Sequence, residues 1–174
     1  MCKGLLRSHS GPDEEKWKQY LQWGGSELAV LANSAAKYCY ANETSVKHVG
    51  LGHEIYCHAT SPIRRYADLV NQRILKAILT NSSYDSIQLP SADWLNKRQQ
   101  DSKRFERDMF LLHSLDVKEL QGIVLSPKKV WVQTWKRIVS WKNNLDAGTS
   151  IKLDFFVNCT ARCWKERIIF RLKM

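Results

Sequence analysis

The residues best suited to chemistry lie between positions 58 and 73, where the chain reads HATSPIRRYADLVNQR. Ser61 and Pro62 are typical of the cap and the first position of a helix, and they predict that a helix begins there. Arg64 and Arg65 would then lie in its first turn, where two cations oppose the helix dipole. A helix start with free N–H groups beside a guanidinium is suited to binding phosphate. The segment therefore indicates a phosphate site.

Two neighbouring residues would complete this site. Asp68 follows Arg64 by one helical turn, which predicts that its carboxylate orients that guanidinium. Tyr66 offers an aromatic face that either packs in the core or meets a base. The alternative interpretation is that Arg64 and Asp68 form an ordinary surface pair and that Pro62 only starts a helix.

The segment belongs to a longer pattern of motifs. HVGL at 48–51, YCHATSPIRRYAD at 56–68 and QR at 72–73 together resemble the signature of the RNase II (RNB) family. That family includes bacterial RNase II, RNase R and the catalytic subunits of the exosome. The chain also resembles other elements of the family. These are LLRSH at 5–9 with Pro12, and Asn96, Arg98 and the ERD triplet at 106–108.

The resemblance implies a 3′→5′ hydrolytic exoribonuclease that acts on single-stranded RNA at a Mg²⁺ site and releases nucleoside 5′-monophosphates. It implies that Arg64 is the catalytic arginine, which holds phosphate near the scissile bond and stabilises the charge that develops there. Asp68 would orient the site. The resemblance also places four residues along the RNA channel: Ser61, Arg65, Tyr66 and Arg73.

The chain departs from the family pattern in its carboxylates. The family binds its metals through an Asp-x₅-Asp-x-Asp-Asp-like run, whereas the nine aspartates of this chain come no closer than seven positions, at Asp101 and Asp108. Gln72 and Cys57 also differ from the residues usual in the family. Three residues separate Cys159 from Cys163, but no histidine pair complements them as zinc ligands. The sequence therefore predicts no metal-binding residues here.

Three functional hypotheses remain open. The first is a C-terminal portion of the nuclease that is inactive alone and completed by a second chain carrying the rest of the catalytic domain. The second is a non-catalytic single-stranded RNA-binding protein derived from the nuclease, and the third is a protein-interaction module. In the first case the helices predicted at 26–40 and 61–79 lack the sheet they normally pack against, and apolar stripes would be exposed.

The elements that must position these residues follow from periodicity. Helices are predicted from Asp13 to the glycine pair at 24–25 and over 26–40, 61–79 and 92–115, with Leu95, Phe105, Met109 and Leu112 facing a partner. Five β-rich runs follow: 120–125, 130–135, 137–141, 151–157 and 167–172. The prediction is an α+β protein, with the mostly helical C-terminal portion of an RNB catalytic domain at 1–115 and a five-stranded OB-type RNA-binding barrel at 116–174.

Charge supports a polyanionic partner. Residues 118–174 hold twelve Lys/Arg and four Asp/Glu, a net charge of +8 out of +10 for the whole chain. Basic charge concentrated in one module is typical of nucleic-acid binding, and single-stranded RNA is the expected partner. No apolar run is long enough to span a membrane, and the N-terminus has no apolar signal core, so we expect no membrane association and an intracellular protein.

Overall fold

The computed structural model describes residues 4–42, 46–83, 87–115, 119–162 and 168–173. The elements run in chain order as β1 (Leu5–Ser8), α1 (Glu14–Ala29), β2 (Lys37–Tyr40), α2 (Tyr66–Leu79), α3 (Ala92–His113), β3 (Leu120–Ser126), β4 (Lys129–Val132), β5 (Arg137–Ser140), β6 (Ser150–Val157) and β7 (Ile168–Leu172). Short 3₁₀ turns cover Val30–Ala32 and Val49–Leu51.

The chain divides into two compact units that are each discontinuous in sequence. Unit 1 comprises residues 1–13 and 33–107, and unit 2 comprises residues 14–32 and 108–174. The segment that holds α1 therefore belongs with the C-terminal strands. The domain boundary predicted between residues 115 and 116 stays a prediction.

Unit 1 is built around a two-stranded antiparallel sheet and one buried helix face. β1 pairs with β2 from Leu5 opposite Tyr40 to Ser8 opposite Lys37. The core consists of Leu5, Leu95 and the inner stripe of α2 (Ala67, Val70, Ile74 and Ala77). These α2 positions recur at helical spacing, so one face of the helix is removed from water.

Unit 2 contains a five-stranded antiparallel sheet in the order β5-β4-β3-β6-β7. β3 is the central strand, and it pairs with β4 on one side and β6 on the other. One face of the sheet carries the main core, which consists of Leu120, Val124, Val130, Val132, Trp135, Val139, Leu153 and Phe170. On the other face, Leu28 of α1 packs with Ile123 and Trp131.

The predicted strands are confirmed, and the mixed α and β character is confirmed with them. All five observed strands of unit 2 overlap the five predicted runs. The first 115 residues are less helical than predicted, since they include β1, β2 and a long irregular segment. In the part of the chain that is described, no helix is long and apolar enough to cross a membrane.

The predicted helix at 26–40 is the main error in the first half. The α-helix ends at Ala29 and is followed by one 3₁₀ turn that ends at Ala32. Strand β2 then begins at Lys37. Tyr38, Cys39 and Tyr40 have side chains that suit a strand, and pairing with β1 overrides the apolar spacing that resembled a helix. Along α3, the predicted apolar face is only partly buried: Leu95 is buried, but Phe105, Met109 and Leu112 are exposed.

A kink inside α1 depends on a conformation that only glycine adopts without strain. Gly25 has φ 66° and ψ −163°, and a Cβ added there would meet no atom within 4 Å. Gly25→Ala should therefore lower the free energy of unfolding through backbone strain alone, by about 1–3 kcal/mol. Urea unfolding followed by tryptophan fluorescence measures this loss. Gln19→Ala, on the exposed face of the same helix, is the control and should change stability by less than about 0.5 kcal/mol.

Candidate functional site

Three separated stretches of sequence meet in unit 1. The backbone N–H of Arg7 donates to the carbonyl of Tyr56 at 2.7 Å, and that of His9 donates to the carbonyl of Lys47 at 2.9 Å. Asn71 of α2 joins them, because its amide accepts from Leu5 N at 2.9 Å and donates to the carbonyls of Leu5 and His58 at 2.8 and 2.9 Å. The motifs at 5–9, 48–51 and 56–68 are therefore parts of one site.

The carboxylate of Asp68 holds the central turn of this site. Asp68 is fully buried in the first turn of α2, and its Oδ2 accepts from the backbone N–H of Ser61 and from Nη2 of Arg65, both at 2.8 Å. The carbonyl of Ser61 accepts in turn from the N–H groups of Arg64 and Arg65, at 3.3 and 3.0 Å. Residues 61–64 thus form a separate turn that is tied to the helix by one buried charge.

This arrangement corrects two predictions. The helix begins at Tyr66, with extended Arg65 as its cap, and not at Ser61 and Pro62, because the Asp68 carboxylate fixes the Ser61 N–H in a turn outside the helix. Asp68 also pairs with Arg65 three residues away and not with Arg64. A negative charge in the first turn of a helix is favourable, so Asp68 is stabilised where it lies.

Arg64 is left at the tip of the turn. Its side chain is exposed and makes no hydrogen bond or ion pair with any residue that the structure describes, and Ile63 beside it is fully exposed. The N–H groups of Tyr66 and Ala67 at the start of α2 have no backbone acceptor among the described residues. A free guanidinium next to unpaired N–H groups is an arrangement that can bind an anion.

Behind the turn lies a buried cluster that the sequence did not single out. Arg7 is 5% exposed and donates from Nη1 to Gln99 Oε1 and from Nη2 to the Ala36 carbonyl, both at 2.8 Å. Its guanidinium lies 4.3 Å from the centre of the Tyr38 ring, and the Tyr38 hydroxyl is 3.1 Å from His58 Nδ1. In the sequence, Arg7 lies in the LLRSH segment and His58 in the YCHATS segment, both of which resemble the family. Those two segments were the sequence signal that could have identified the cluster.

Burial and positive charge control protonation in this cluster. Burial, together with the nearby Arg65 and Arg7, lowers the pKa of His58 to about 4. Burial also lowers the pKa of Arg7 and raises that of Tyr38. At neutral pH the cluster therefore contains a neutral imidazole and a neutral phenol beside one guanidinium.

A histidine pair fixes the adjoining turn at 48–52. Gly50 N–H donates to His9 Nδ1 at 3.1 Å, so the neutral His9 ring donates from Nε2 to the Ser34 carbonyl at 2.9 Å. The His9 and His48 rings stack with centroids 5.2 Å apart. Burial, followed by the neighbouring His9, lowers the pKa of His48. The stacked rings pack the turn at 48–52 against the segment that follows β1.

Of the other predicted residues, Ser61 and Tyr66 lie at the start of α2 and Arg73 lies in the middle of that helix. Ser61 is half-buried, whereas Arg73 is exposed. Tyr66 is 45% exposed and meets Trp94 edge to face, with ring centroids 6.2 Å apart, so part of its face is covered. The structure brings Ser61, Arg65 and Asp68 into contact with one another, and it leaves Arg64 and Arg73 free for a ligand.

The family's Mg²⁺ does not fit the residues present. Within the described residues, no three His, Cys, Asp or Glu side chains come together as a group that could hold a metal ion. The Asp68 carboxylate is fully buried, and its Oδ2 accepts from both Arg65 and the Ser61 N–H. Cys163, one of the two cysteines considered for zinc, lies outside the described residues.

The first part of the chain is similar to known proteins. Residues 2–81 match the RNB domain model. Bacterial relatives named Exoribonuclease 2 are 40% identical over 62 residues in Haemophilus influenzae, 44% over 62 residues in Yersinia pseudotuberculosis and 38% over 72 residues in Pectobacterium atrosepticum. The site at 5–71 therefore lies within the part of the chain that is similar to RNB domains.

The matches cover only part of each protein. They span 36 to 41% of this chain and 9 to 11% of those three relatives. Among solved structures, yeast Ssd1, described as a pseudonuclease, is similar over 88% of this chain and 25% of its own length, at 17% identity and a TM-score of 0.48. That similarity is too low to carry a conclusion about this protein.

The first prediction from the site concerns Asp68. Asp68→Asn removes the buried charge that Arg65 and the Ser61 N–H both use, so it should lower the free energy of unfolding by roughly 3–5 kcal/mol. Urea unfolding provides the measurement. Asp101→Asn, on α3, is the matched control and should cost less than about 0.5 kcal/mol. Equal stability of the two variants would show that the Asp68 contacts do not hold the turn.

The second prediction concerns the loss of stability at acid pH that His58 causes. The unfolded chain takes up a proton on His58 as the pH falls through about 6.5, whereas the folded chain does so only near 4. The free energy of unfolding is therefore undiminished by His58 above pH 6.5. It falls by up to about 3 kcal/mol as the pH is lowered from 6.5 to 4. Unfolding free energies measured across this range should fall less steeply for His58→Gln than for the parent chain. Parallel curves would contradict the assignment.

Proposed function

We propose that this chain is the C-terminal portion of an RNase II-type 3′→5′ exoribonuclease acting on single-stranded RNA. It supplies the phosphate-holding arginine, Arg64, and one wall of the RNA channel. The observation that carries the proposal is the free, exposed Arg64 guanidinium on a turn that Asp68 holds rigidly at the start of α2. In this proposal an intracellular RNA 3′ end is the ligand.

The local geometry gives each residue a separate task. Arg64 contacts phosphate, because no described residue competes for its guanidinium. Asp68 and Arg65 position the turn, and Ser61 closes it through its backbone. Tyr66 and Arg73 extend the surface along α2 for the nucleotides that follow. A guanidinium fixed in this way stabilises charge that grows on a phosphate in the transition state.

A second chain is part of the proposal. The sequence contains no run of closely spaced aspartates. The buried Arg7 guanidinium has only an amide and a carbonyl oxygen as hydrogen-bond partners, and its Nε has none among the described residues. A buried cation is usually paired with a carboxylate, so a partner chain carrying the metal-binding aspartates would also relieve this charge.

Exposed apolar side chains on unit 1 support the same partner. α2 buries one stripe but leaves Leu75, Ile78 and Leu79 at 51, 44 and 74% exposure. Ile63 and Tyr66 are exposed as well. Several apolar side chains on one helix face, beside the exposed Ile63, are typical of an interaction surface.

The strand pairings of unit 2 support an OB-type RNA-binding module. In OB folds the first strand pairs with the second and the fourth, and here β3 pairs with β4 and β6, while β6 also pairs with β7. Pairing between β5 and β7, which would close the barrel, does not occur among the described residues. The net charge of +8 over 118–174 adds electrostatic attraction for the RNA backbone.

Binding to a 5′-labelled single-stranded 20-mer RNA tests the proposal. The chain should bind with a log affinity that falls linearly with log salt, and Arg64→Ala should reduce the slope by about 1 because one phosphate contact is lost. Arg104→Ala, an exposed arginine on α3, is the matched control and should keep the parent slope. Without a second chain, no mononucleotides should be released in the presence of Mg²⁺.

Three other outcomes of this experiment would contradict parts of the proposal. Processive release of mononucleotides by the chain alone would overturn the need for a partner. Binding in which Arg64→Ala and Arg104→Ala behave alike would remove Arg64 from the site and favour a non-catalytic RNA-binding protein. Failure to bind RNA even at low salt would overturn the proposal and favour a protein-interaction module.

A further inference from the structure

A stripe of four side chains on α3 is left largely uncovered by unit 1. Trp94, Arg98, Asp101 and Phe105 are spaced by four, three and four residues, so they lie along one face of the helix over about three turns. Trp94 is 47% exposed and Phe105 is 65% exposed. Aromatic side chains that remain in water on one helix face are typical of an interaction surface. We call these four residues the outer stripe.

The other face of α3 is fixed to unit 1. Leu95 is buried in the core of that unit. The side-chain amide of Asn96 accepts from the Tyr38 N–H at 2.7 Å and donates to the Tyr38 carbonyl at 2.9 Å. Gln99 Oε1 accepts from Arg7 Nη1 at 2.8 Å. Turning the helix about its axis would break these contacts, so the outer stripe is held on the surface.

The two charged members of the outer stripe, Arg98 and Asp101, are both free to pair. Neither side chain forms an ion pair or a hydrogen bond with the other, or with any residue that the structure describes. The Arg98 guanidinium lies 5.5 Å from the centre of the Trp94 ring. Arg98 is exposed and Asp101 is half-buried. The outer stripe therefore presents one unpaired cation and one unpaired anion between two aromatic rings.

The order of these groups makes the outer stripe complementary to a second copy that is turned end to end. In an antiparallel pair with its twofold axis midway between residues 99 and 100, Trp94 lies opposite Phe105 of the second copy. In the same pair, Arg98 lies opposite Asp101 of the second copy, and both contacts occur twice. A parallel pair would set Arg98 against Arg98 and Asp101 against Asp101, and like charges that face each other repel. The charges therefore favour a second copy in antiparallel orientation.

We infer that α3 binds a second copy of this chain through the outer stripe, as an antiparallel helix pair. Two aromatic contacts at the ends and two ion pairs in the middle hold the pair together. A pair of helices about three turns long buries less than the roughly 1,200 Å² typical of stable complexes, so we expect a weak dimer with a dissociation constant of roughly 10–100 μM. The dimer contact goes beyond the proposed function, because it needs neither RNA nor a chain of a second kind.

Sedimentation velocity on the full chain without RNA tests this contact. The parent chain should shift from monomer to dimer as its concentration is raised to about 300 μM, well above the expected dissociation constant. Arg98→Glu sets carboxylates against each other and Asp101→Lys sets cations against each other, so each variant should weaken the dimer at least about tenfold. The double variant Arg98→Glu/Asp101→Lys restores opposite charges and should recover the parent dissociation constant within about threefold.

Mixing the two single variants separates lost pairing from damage to the fold. Each variant alone repels its own copy, but the carboxylates of the Arg98→Glu chain face the cations of the Asp101→Lys chain, so an equimolar mixture should form heterodimers. Lys103→Glu and Glu106→Lys are the matched controls. They make the same charge changes about 140° further round the helix and should leave the dissociation constant unchanged.

Three results would overturn the dimer contact. The parent chain stays monomeric at the highest concentration, Arg98→Glu and Lys103→Glu weaken the dimer equally, or the mixed single variants remain monomeric. If the parent chain stays monomeric but Arg98→Glu lowers its affinity for the RNA 20-mer, the outer stripe binds RNA and not a second copy. The test of Arg64 is independent, since RNA binding can fail while the dimer forms, and the dimer can fail while Arg64 binds phosphate.

Discussion

The Asp68 carboxylate is the contact on which the turn at 61–64 and the start of α2 depend. One buried oxygen accepts from the Ser61 N–H and from Arg65, so it joins the turn at 61–64 to the first turn of α2. Everything presented by that turn, including the exposed Arg64, takes its position from this charge. Isolating a carboxylate from water is costly, and the cost is offset only while both donors remain in place. The site is therefore rigid at the base and free at the tip.

The sequence predicted the chemistry at this site better than its geometry. The HATSPIRRYAD segment identified Arg64, Asp68 and their neighbours, yet the helix start and the arginine partner of Asp68 were both misassigned. Local preference favours Ser61 and Pro62 as a helix start, but a carboxylate seven residues later binds the Ser61 N–H. No local rule contains that contact. Arg7 and Tyr38 were missed as a cluster for the same reason, because their partners are distant in sequence.

Elsewhere, success followed from how local each signal was. The five strands of unit 2 were predicted because short β-branched runs between turn residues have few other solutions. The helix predicted over 26–40 failed because the apolar spacing of Ala35, Ala36 and Tyr38 suits either a helix or a strand, and pairing with β1 decided the outcome. On α3, Phe105 and Leu112 were predicted to face a partner; both are exposed, and their partner stays a prediction.

The discontinuity of the two units has a consequence for the order of synthesis. α1 emerges early, but the side chains that cover Leu28 belong to β3 and β4, about a hundred residues later. Until those strands are made, Leu28 lacks the neighbours that bury it, and such distant contacts form slowly. Unit 1 has a similar interruption, since β1 and β2 flank the same insertion. A nascent chain that stops before residue 120 would therefore contain α1 without the strands that α1 packs against. A single proteolytic cut within 14–32 would affect both units at once.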